Sequence, residues 1–202
     1  MKTVILTGGM GSGKSAVCAF LKARGVPVYD SDSRTKSLYD RVPALVGSLE
    51  AAMGTGLRAA DGRLDKAKLA SLIFGDPERK AVVESIVHPA VLADFLRWKR
   101  WHRPKGWTYG PVPFVVLESA IILSCPVFDG VGDRTVLVDA SEEVRLARAV
   151  ARDGSDPEAA LRRIRQQRFD LSRVDAVLRN DGTLEDLAAG TDRVFLNLFV
   201  SL

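Results

Sequence analysis

Five short apolar runs are spaced along the chain, and each of them ends at polar residues or glycine. They cover residues 4–6, 26–29, 114–117, 135–138 and 176–178. Short runs that are apolar throughout are typical of parallel strands buried on both faces. Between most of these runs the apolar residues recur at helical spacing. The alternation predicts an α/β fold, in which helices cover both faces of a five-stranded parallel sheet and ligands bind at the carboxyl ends of the strands.

The long interval between the second and third runs has a different pattern. Residues 33–111 contain apolar positions at helical spacing but no convincing strand. We therefore predict that this interval is an inserted helical lobe, and that residues 1–32 and 112–202 form the α/β core. The dipeptides Asp76-Pro77 and His88-Pro89 should mark helix boundaries, because a residue before proline avoids the helical conformation and proline suits the first helical turn.

The first predicted strand leads into a glycine-rich segment, residues 8–15, that fits the pattern G-x-x-x-x-G-K-[ST]. Its glycines allow the backbone to turn successive N–H groups inward, and the helix that follows adds the positive end of its dipole. This combination favours a bound polyphosphate. Lys14 would reach the β- and γ-phosphates, and the Ser15 hydroxyl would bind a magnesium ion shared with the phosphate oxygens.

Composition narrows the class of protein. The chain has 202 residues, 47% of them hydrophobic, which suffices for one substantial core. No apolar run approaches the roughly 18 residues of a membrane span, and no signal-peptide pattern precedes the first strand, so a cytoplasmic protein is expected. Cys18 and Cys125 lie far apart, which argues against a zinc site or a disulfide framework. A net charge of +4 suits an anionic small molecule without requiring nucleic acid.

Residues 142–173 are strongly basic and carry eight arginines on two predicted helices, interrupted near Gly154. We interpret this segment as a lid whose guanidinium groups neutralise a transferring phosphoryl group. Arg148 and Arg152 share one helix face and are the best candidates, with Arg145 three residues before Arg148. The alternative is that at least half of the eight form a solvated face or pair with acidic neighbours.

Polar residues elsewhere have more than one interpretation. Asp30 and Asp32 follow the second predicted strand, and alternation along an extended backbone leaves both eligible to orient an acceptor hydroxyl or to hold magnesium through water. Glu118, after the third strand, could support the magnesium ion or cap the residues that follow it. Residues 98–107 interleave tryptophan with basic residues, which suits either base stacking or the amphipathic end of a helix. His88 could contact a ligand or fill a structural role.

Taken in order, these motifs resemble the dephospho-CoA kinase family, and the resemblance extends over nearly the whole chain. The matching positions are the glycine-rich loop, Asp30-Ser31-Asp32, Asp61-Gly62-Arg63-Leu64, His88-Pro89, Arg148, Arg152-Asp153, Gln167 and Asn180-Asp181-Gly182. The departures are Ser124, where many members have glutamate, and Val174, where alanine usually precedes the last aspartate. The ordered set is more specific than the loop alone, which many unrelated nucleotide-binding proteins share.

The resemblance implies an enzyme that moves the γ-phosphoryl group of ATP to the ribose 3′-hydroxyl of dephospho-CoA, in the last step of CoA synthesis. It implies that Asp32 acts on the acceptor hydroxyl beside the catalytic Lys14 and Arg148, and that the helical lobe, with His88, binds the acceptor. We also expect Mg²⁺, the small-molecule substrates ATP and dephospho-CoA with no nucleic-acid or membrane partner, and a monomer or small homo-oligomer. The implied ATP-binding residues are Gly8, Gly9, Gly11, Ser12, Gly13, Lys14, Ser15, Ala16, Arg148 and Asn180.

Two other classes of function fit parts of the pattern. A nucleoside or nucleoside-monophosphate kinase shares the glycine-rich loop, the acceptor lobe and the arginine lid, and differs in its acceptor. A nucleotide switch or ATPase module could bind nucleic acid or protein through the tryptophan and arginine segments. The sequence disfavours this module, because it contains no N-K-x-D motif and the third predicted strand ends in Val116-Leu117-Glu118 rather than an aspartate-glutamate pair.

Overall fold

The computed structural model describes residues 1–102, 112–154 and 156–200, and a five-stranded sheet lies at its centre. The strands are β1 (Lys2–Gly8), β2 (Val28–Asp30), β3 (Phe114–Glu118), β4 (Arg134–Asp139) and β5 (Ala176–Arg179), in the order β2-β3-β1-β4-β5. The central strand β1 pairs in parallel with β3 and β4, and β4 pairs in parallel with β5. The predicted α/β fold with a five-stranded parallel sheet is confirmed.

Helices connect the strands, and most of them begin at a residue whose side chain caps the helix. Asp30, Asp65, Ser141, Asp156 and Thr183 each accept a hydrogen bond from a backbone N–H in the first turn of the helix they precede. Within the described residues, no helix combines the length and apolar character that a membrane crossing requires. The helices are α1 (Lys14–Ala23), α2 (Ser31–Arg41), α3 (Pro43–Met53), α4 (Lys66–Ile73), α5 (Pro77–Trp101), α6 (Glu142–Asp153), α7 (Pro157–Gln166) and α8 (Leu184–Asn197).

The core of the sheet consists of the apolar side chains of its inner strands together with α1 and α8. Val4 and Leu6 of β1 are fully buried, as are Val116 and Val138 of the neighbouring strands. Phe114 stacks on Phe195 of α8 with ring centroids 5.7 Å apart. Burial on both faces explains why the strands are apolar throughout, and it holds the carboxyl ends of β1 and β4 in a rigid setting.

The chain forms two compact units. The first comprises Met1–Tyr29 and Lys99–Leu202 and contains the sheet, and the second is the helical segment Asp30–Trp98. In the second unit the Asp94 carboxylate is buried and accepts two hydrogen bonds from Arg34, of 2.9 and 3.0 Å, which join α5 to α2. The assignment of residues 33–111 as an acceptor-binding lobe stays a prediction.

Helix α5 departs from the boundaries that its prolines predict. It begins at Pro77 as expected, but it continues through Pro89, so the predicted boundary at His88-Pro89 is wrong. A buried stripe explains the continuity, because Val83, Val87, Val91 and Phe95 follow one another at four-residue spacing on both sides of the proline. Packing along this stripe outweighs the one hydrogen bond that a proline removes from the helix.

Candidate active site

The glycine-rich loop connects β1 to α1, and Gly13 has a backbone conformation that other residues rarely adopt. Gly13 is the N-cap of α1, with φ 97° and ψ 14° in the left-handed region. A Cβ at this position would also overlap the side-chain amide nitrogen of Asn180. The loop therefore requires glycine here twice over, for the turn and for the close approach of Asn180.

Two buried hydroxyls in this region have no hydrogen-bond partner among the residues that the structure describes. They belong to Thr7, near the end of β1, and Ser12, in the loop, and both residues are fully buried. A buried polar group left unpaired costs about 1–3 kcal/mol, so such groups normally have a partner. Helix α1 also begins without a side-chain cap and without an acidic residue in its first turn. Unpaired hydroxyls beside an open, positive helix end fit a bound phosphate.

Lys14, the first residue of α1, lies across the loop. Its Nζ donates a hydrogen bond to the Gly8 carbonyl oxygen at 2.7 Å, and Glu118 Oε1, at the end of β3, is 3.9 Å from the same nitrogen. Both side chains are largely buried. Ser15, next along the helix, is exposed, whereas Ala16 is half-buried. The lysine is therefore held within the loop by a carbonyl on one side and a carboxylate on the other.

Asn180 joins the loop to the helix that was interpreted as a lid. Its Nδ2 donates to the Ser12 carbonyl oxygen at 2.8 Å, and its backbone N–H donates to the Asp139 carbonyl oxygen at the end of β4. Arg148 of α6 donates from Nη1 to the Asn180 carbonyl oxygen at 2.9 Å, and its Nη2 is 3.5 Å from Asn180 Oδ1. The structure thus brings together Arg148, Asn180 and the loop, three features that sequence analysis singled out.

Arg145 and Gln167 form a second contact with the loop, and sequence analysis gave neither of them a role there. Arg145 Nε donates to the Met10 carbonyl oxygen at 2.9 Å, and Nη2 donates to Gln167 Oε1 at 2.7 Å. The same Gln167 oxygen accepts the Met10 N–H at 2.8 Å. A Cβ on Gly9 would overlap Arg145 Nη2 and lie 2.6 Å from Gln167 Oε1. The available sequence signal was the position of Arg145 one turn before Arg148 on α6.

The remaining lid arginines differ in their surroundings. Three of them pair with carboxylates at the surface: Arg162 with Glu158, Arg165 with Glu142, and Arg173 with Asp129. Arg152, which the sequence favoured together with Arg148, has an exposed side chain. The three ion-paired arginines, Arg162, Arg165 and Arg173, fit the alternative interpretation of a solvated, ion-paired face.

The candidate acceptor residues belong to the second compact unit. Asp30 caps α2, because its Oδ1 accepts the Ser33 N–H at 2.9 Å and its Oδ2 accepts the Ser33 hydroxyl at 2.8 Å. Asp32 lies in the first turn of α2 and is exposed, and its carboxylate has no hydrogen bond to the residues described. His88 is half-buried within α5. The two aspartates, which alternation along the backbone left equally eligible, are therefore distinguished by the cap.

The basic and aromatic segment at residues 98–107 is described only in part. The Trp98 ring stacks on Phe95 with centroids 6.2 Å apart, and Trp101, at the end of α5, is 81% exposed. The described part fits the amphipathic end of a helix. Residues 103–107 lie outside the described residues, so base stacking by this segment stays a prediction.

Enzymes that move a phosphoryl group between small molecules combine a parallel sheet, a glycine-rich loop after its first strand and a basic helical lid, and this chain falls into that class, the P-loop kinases. Comparison with known proteins narrows the class. The model of the family described as dephospho-CoA kinase matches residues 2–186, so the chain belongs to the dephospho-CoA kinase family. The resemblance identified from the motifs is confirmed.

Individual relatives agree with this membership. A dephospho-CoA kinase of Porphyromonas gingivalis is 38% identical over 167 residues, which are 83% of this chain and 78% of that protein. One of Frankia casuarinae is 35% identical over 201 residues, 98% of this chain and 84% of that protein. The crystal structure of a Thermus thermophilus protein that is 32% identical superposes with a TM-score of 0.76. The match covers 98% of this chain and 97% of the Thermus thermophilus chain. This chain is a kinase with ATP as the implied donor, and its reaction is the last step of coenzyme A biosynthesis.

Proposed function

We propose that this chain transfers the γ-phosphoryl group of magnesium-bound ATP to the ribose 3′-hydroxyl of dephospho-CoA, with the glycine-rich loop holding the donor. The observation that most strongly supports this proposal is the arrangement at the start of α1. The buried hydroxyls of Thr7 and Ser12, which have no hydrogen-bond partner in the described residues, occur together with an uncapped helix N-terminus and the Lys14 ammonium group. Together they offer hydrogen-bond donors and positive charge to several phosphate oxygens. The residues proposed to bind ATP are Gly8, Gly9, Gly11, Ser12, Gly13, Lys14, Ser15 and Ala16 of the loop, with Arg148 and Asn180.

Lys14 is the proposed contact to the β- and γ-phosphates. An ammonium group has three donors, so it can bond to the Gly8 carbonyl oxygen and to phosphate oxygens at the same time. Glu118, 3.9 Å away, attracts the ammonium group and limits where it can move. The positive charge would stabilise the negative charge that develops as the bond to the leaving oxygen breaks.

Ser15 is the proposed protein ligand of magnesium. Its hydroxyl is exposed in the first turn of α1, one residue beyond Lys14. Magnesium sites in kinases commonly use one or two protein ligands, substrate phosphates and water, which a single serine hydroxyl in this position suits. The ion, when bound, neutralises part of the charge on the β- and γ-phosphate oxygens.

Arg148 is the proposed lid residue that contacts the transferring phosphoryl group. The hydrogen bonds that it makes go to the uncharged backbone and side-chain oxygens of Asn180. A guanidinium with uncharged partners keeps its charge available for phosphate, and its planar fork matches the oxygens of a phosphoryl group. Asn180 in turn holds the loop through its hydrogen bond to the Ser12 carbonyl oxygen. Asn180 would therefore link the ATP-binding loop to the positive charge of Arg148.

Asp32 is the proposed residue for the acceptor hydroxyl. The Asp30 carboxylate has both oxygens engaged in capping α2, whereas the exposed Asp32 carboxylate can accept a hydrogen bond without loss of the cap. Phosphoryl transfer passes through a loose transition state with little bonding to the nucleophile, so a weak base suffices to orient the hydroxyl and to receive its proton late. His88 is proposed to bind the acceptor from the same helical unit. Cytoplasmic location and a monomeric or small homo-oligomeric state remain predictions.

A pair of isosteric variants tests the assignment of Asp32. Asp32→Asn removes the charge but keeps the shape, so single-turnover transfer to dephospho-CoA should fall by about 10²-fold or more while ATP still binds. Asp30→Asn is the matched control, because asparagine caps a helix about as well as aspartate and the change should be mild. An inactive Asp30→Asn beside an active Asp32→Asn would reverse the assignment.

A further inference from the structure

The Arg145 guanidinium is a nearly buried cation with uncharged hydrogen-bond partners. The residue is only 9% exposed, and its hydrogen-bond partners among the described residues are the carbonyl oxygen of Met10 and the amide oxygen of Gln167. The nearby carboxylates have other partners, since Asp139 binds Arg179 and Glu142 binds Arg165 through two hydrogen bonds. Buried charges are normally paired, so a positive charge without an ion pair in the described residues is unusual.

This charge lies against the tip of the glycine-rich loop. A Cβ on Gly9 would overlap Arg145 Nη2, and a Cβ on Gly11 would overlap the backbone of Arg145, so α6 packs directly on both sides of Met10. Burial lowers the pKa of the Arg145 guanidinium, and the carboxylates of Asp139 and Glu142 oppose this effect. An arginine still remains charged at neutral pH, because its ordinary pKa lies far above neutrality.

Gln167 completes a closed set of hydrogen bonds around Met10. Its Oε1 accepts from the Met10 N–H and from Arg145 Nη2, while Arg145 Nε donates to the Met10 carbonyl oxygen. The N–H and the carbonyl oxygen of Met10 are therefore both held by distant parts of the chain. Arg145 is 135 positions from Met10, and Gln167 is 157 positions from it. The position of the tip depends on α6 and on the end of α7 as much as on the loop itself.

We propose that Arg145 and Gln167 are positioning residues for the phosphate donor: Gln167 and Arg145 hold the loop tip, and Arg145 supplies an unpaired positive charge that favours the polyphosphate of the nucleotide. The proposal rests on the proposed function in one respect, that the loop binds ATP. It separates two contributions. The hydrogen bonds fix the backbone of the tip, and the charge raises affinity for the β- and γ-phosphates specifically.

Gln167→Glu separates the two contributions. A glutamate keeps an oxygen for both the Met10 N–H and Arg145 Nη2, but its charge neutralises Arg145. The affinity for ATP, measured by calorimetry, should fall about 10-fold, whereas AMP, which has no β- or γ-phosphate, should lose little. The melting temperature should not fall, because the hydrogen bonds are kept. Arg145→Gln should give the same difference between ATP and AMP, and Arg145→Lys should restore part of the ATP affinity.

Steady-state kinetics provide a second measurement. Both neutralising variants should raise KM for ATP about 10-fold and leave KM for dephospho-CoA unchanged. Arg162→Gln is the control, since Arg162 is an exposed arginine of the same segment, 3.7 Å from Glu158. Wild-type ATP affinity in a folded Gln167→Glu or Arg145→Gln protein would overturn the proposal, as would an equal loss for ATP and AMP. Because the calorimetry requires no acceptor, failure of the wild type to phosphorylate dephospho-CoA would count against the proposed function alone.

Discussion

Asn180→Ala is the substitution whose effect follows most directly from the contacts around the loop. Asn180 is 4% exposed, and its Nδ2 is 2.8 Å from the carbonyl oxygen of Ser12, a fully buried residue. Alanine removes the donor and leaves that carbonyl without it. An unpaired buried acceptor costs about 1–3 kcal/mol, which in a protein of this size lowers the melting temperature by about 2 to 12 °C.

The same substitution should weaken ATP binding, because the Asn180 side chain holds the backbone just before Gly13. The Asn180 carbonyl oxygen also accepts a hydrogen bond from Arg148. Asn180→Asp should weaken it further, since the amide donor becomes an anionic oxygen that faces the Ser12 carbonyl and the proposed phosphate site. Thermal unfolding with and without ATP, followed by calorimetry of ATP binding, measures both effects.

A second asparagine provides the control for Asn180. Asn197 Nδ2 also donates to a backbone carbonyl oxygen, that of Arg193 at 2.8 Å, but Asn197 is exposed on α8. Water replaces such a donor, so Asn197→Ala should change the melting temperature by less than about 1 °C. If Asn180→Ala has the melting temperature and the ATP affinity of the wild type, the claim that the buried Asn180–Ser12 contact stabilises the loop is refuted.

Three further predictions concern single side chains. Lys14→Ala should lower the rate of phosphoryl transfer by about 10²- to 10³-fold, the usual effect of losing one preorganised donor, as measured by single turnover. Arg148→Ala should lower kcat by a similar factor of about 10²- to 10³-fold and change KM for ATP less. Asp133→Asn should lower the free energy of unfolding, measured in urea, near neutral pH. The difference in free energy of unfolding between the wild type and the variant should shrink below about pH 4.

The pH dependence follows from the surroundings of Asp133. Burial acts to raise the pKa of its carboxyl, but hydrogen bonds from Lys2 and from the Thr3 N–H, both at 2.7 Å, outweigh it and hold the pKa below its ordinary value. A lowered folded-state pKa stabilises the fold at higher pH, and the contribution is lost as the carboxyl is protonated on acidification. A constant difference between wild type and Asp133→Asn from pH 7 to 3 would contradict this account.

Contrary outcomes for the other two variants are equally definite. Near-normal turnover in a folded Lys14→Ala protein would remove the loop lysine from the mechanism. If Arg148→Ala changes only the apparent affinity for ATP, Arg148 acts in ground-state nucleotide binding, and Arg152 becomes the candidate for the transition state.

The sheet was predictable because parallel strands covered on both faces must be apolar, so each strand appears in the sequence as a short hydrophobic run. The limits of β1 were less predictable. Thr3 and Thr7 are fully buried within it, yet a hydropathy pattern ends the strand at the apolar residues 4–6. Pro89 misled the prediction of α5 for the opposite reason, since the local preference of a proline was outweighed by packing that the sequence shows only weakly.

The loop was predictable because its function requires glycine at fixed spacing, whereas its supports were not. The basic segment contains eight arginines, and the position of Arg145 one turn before Arg148 does not reveal that Arg145 is buried against Met10 whereas Arg162 is exposed. The distinction depends on contacts between residues more than a hundred positions apart. Alternation along the strand placed Asp30 and Asp32 on one side and did not separate them; the family resemblance pointed to Asp32, and the capping hydrogen bonds from Ser33 to Asp30 add a physical distinction.

The central claim, phosphoryl transfer from ATP to the 3′-hydroxyl of dephospho-CoA, is tested most directly by identifying the product. The purified chain is incubated with ATP, Mg²⁺ and, in separate reactions, dephospho-CoA, AMP or cytidine, and the products are analysed by mass spectrometry. The account predicts CoA and ADP in the reaction with dephospho-CoA and no phosphorylated product from the other two acceptors. Unmodified dephospho-CoA beside phosphorylated AMP or cytidine would contradict it.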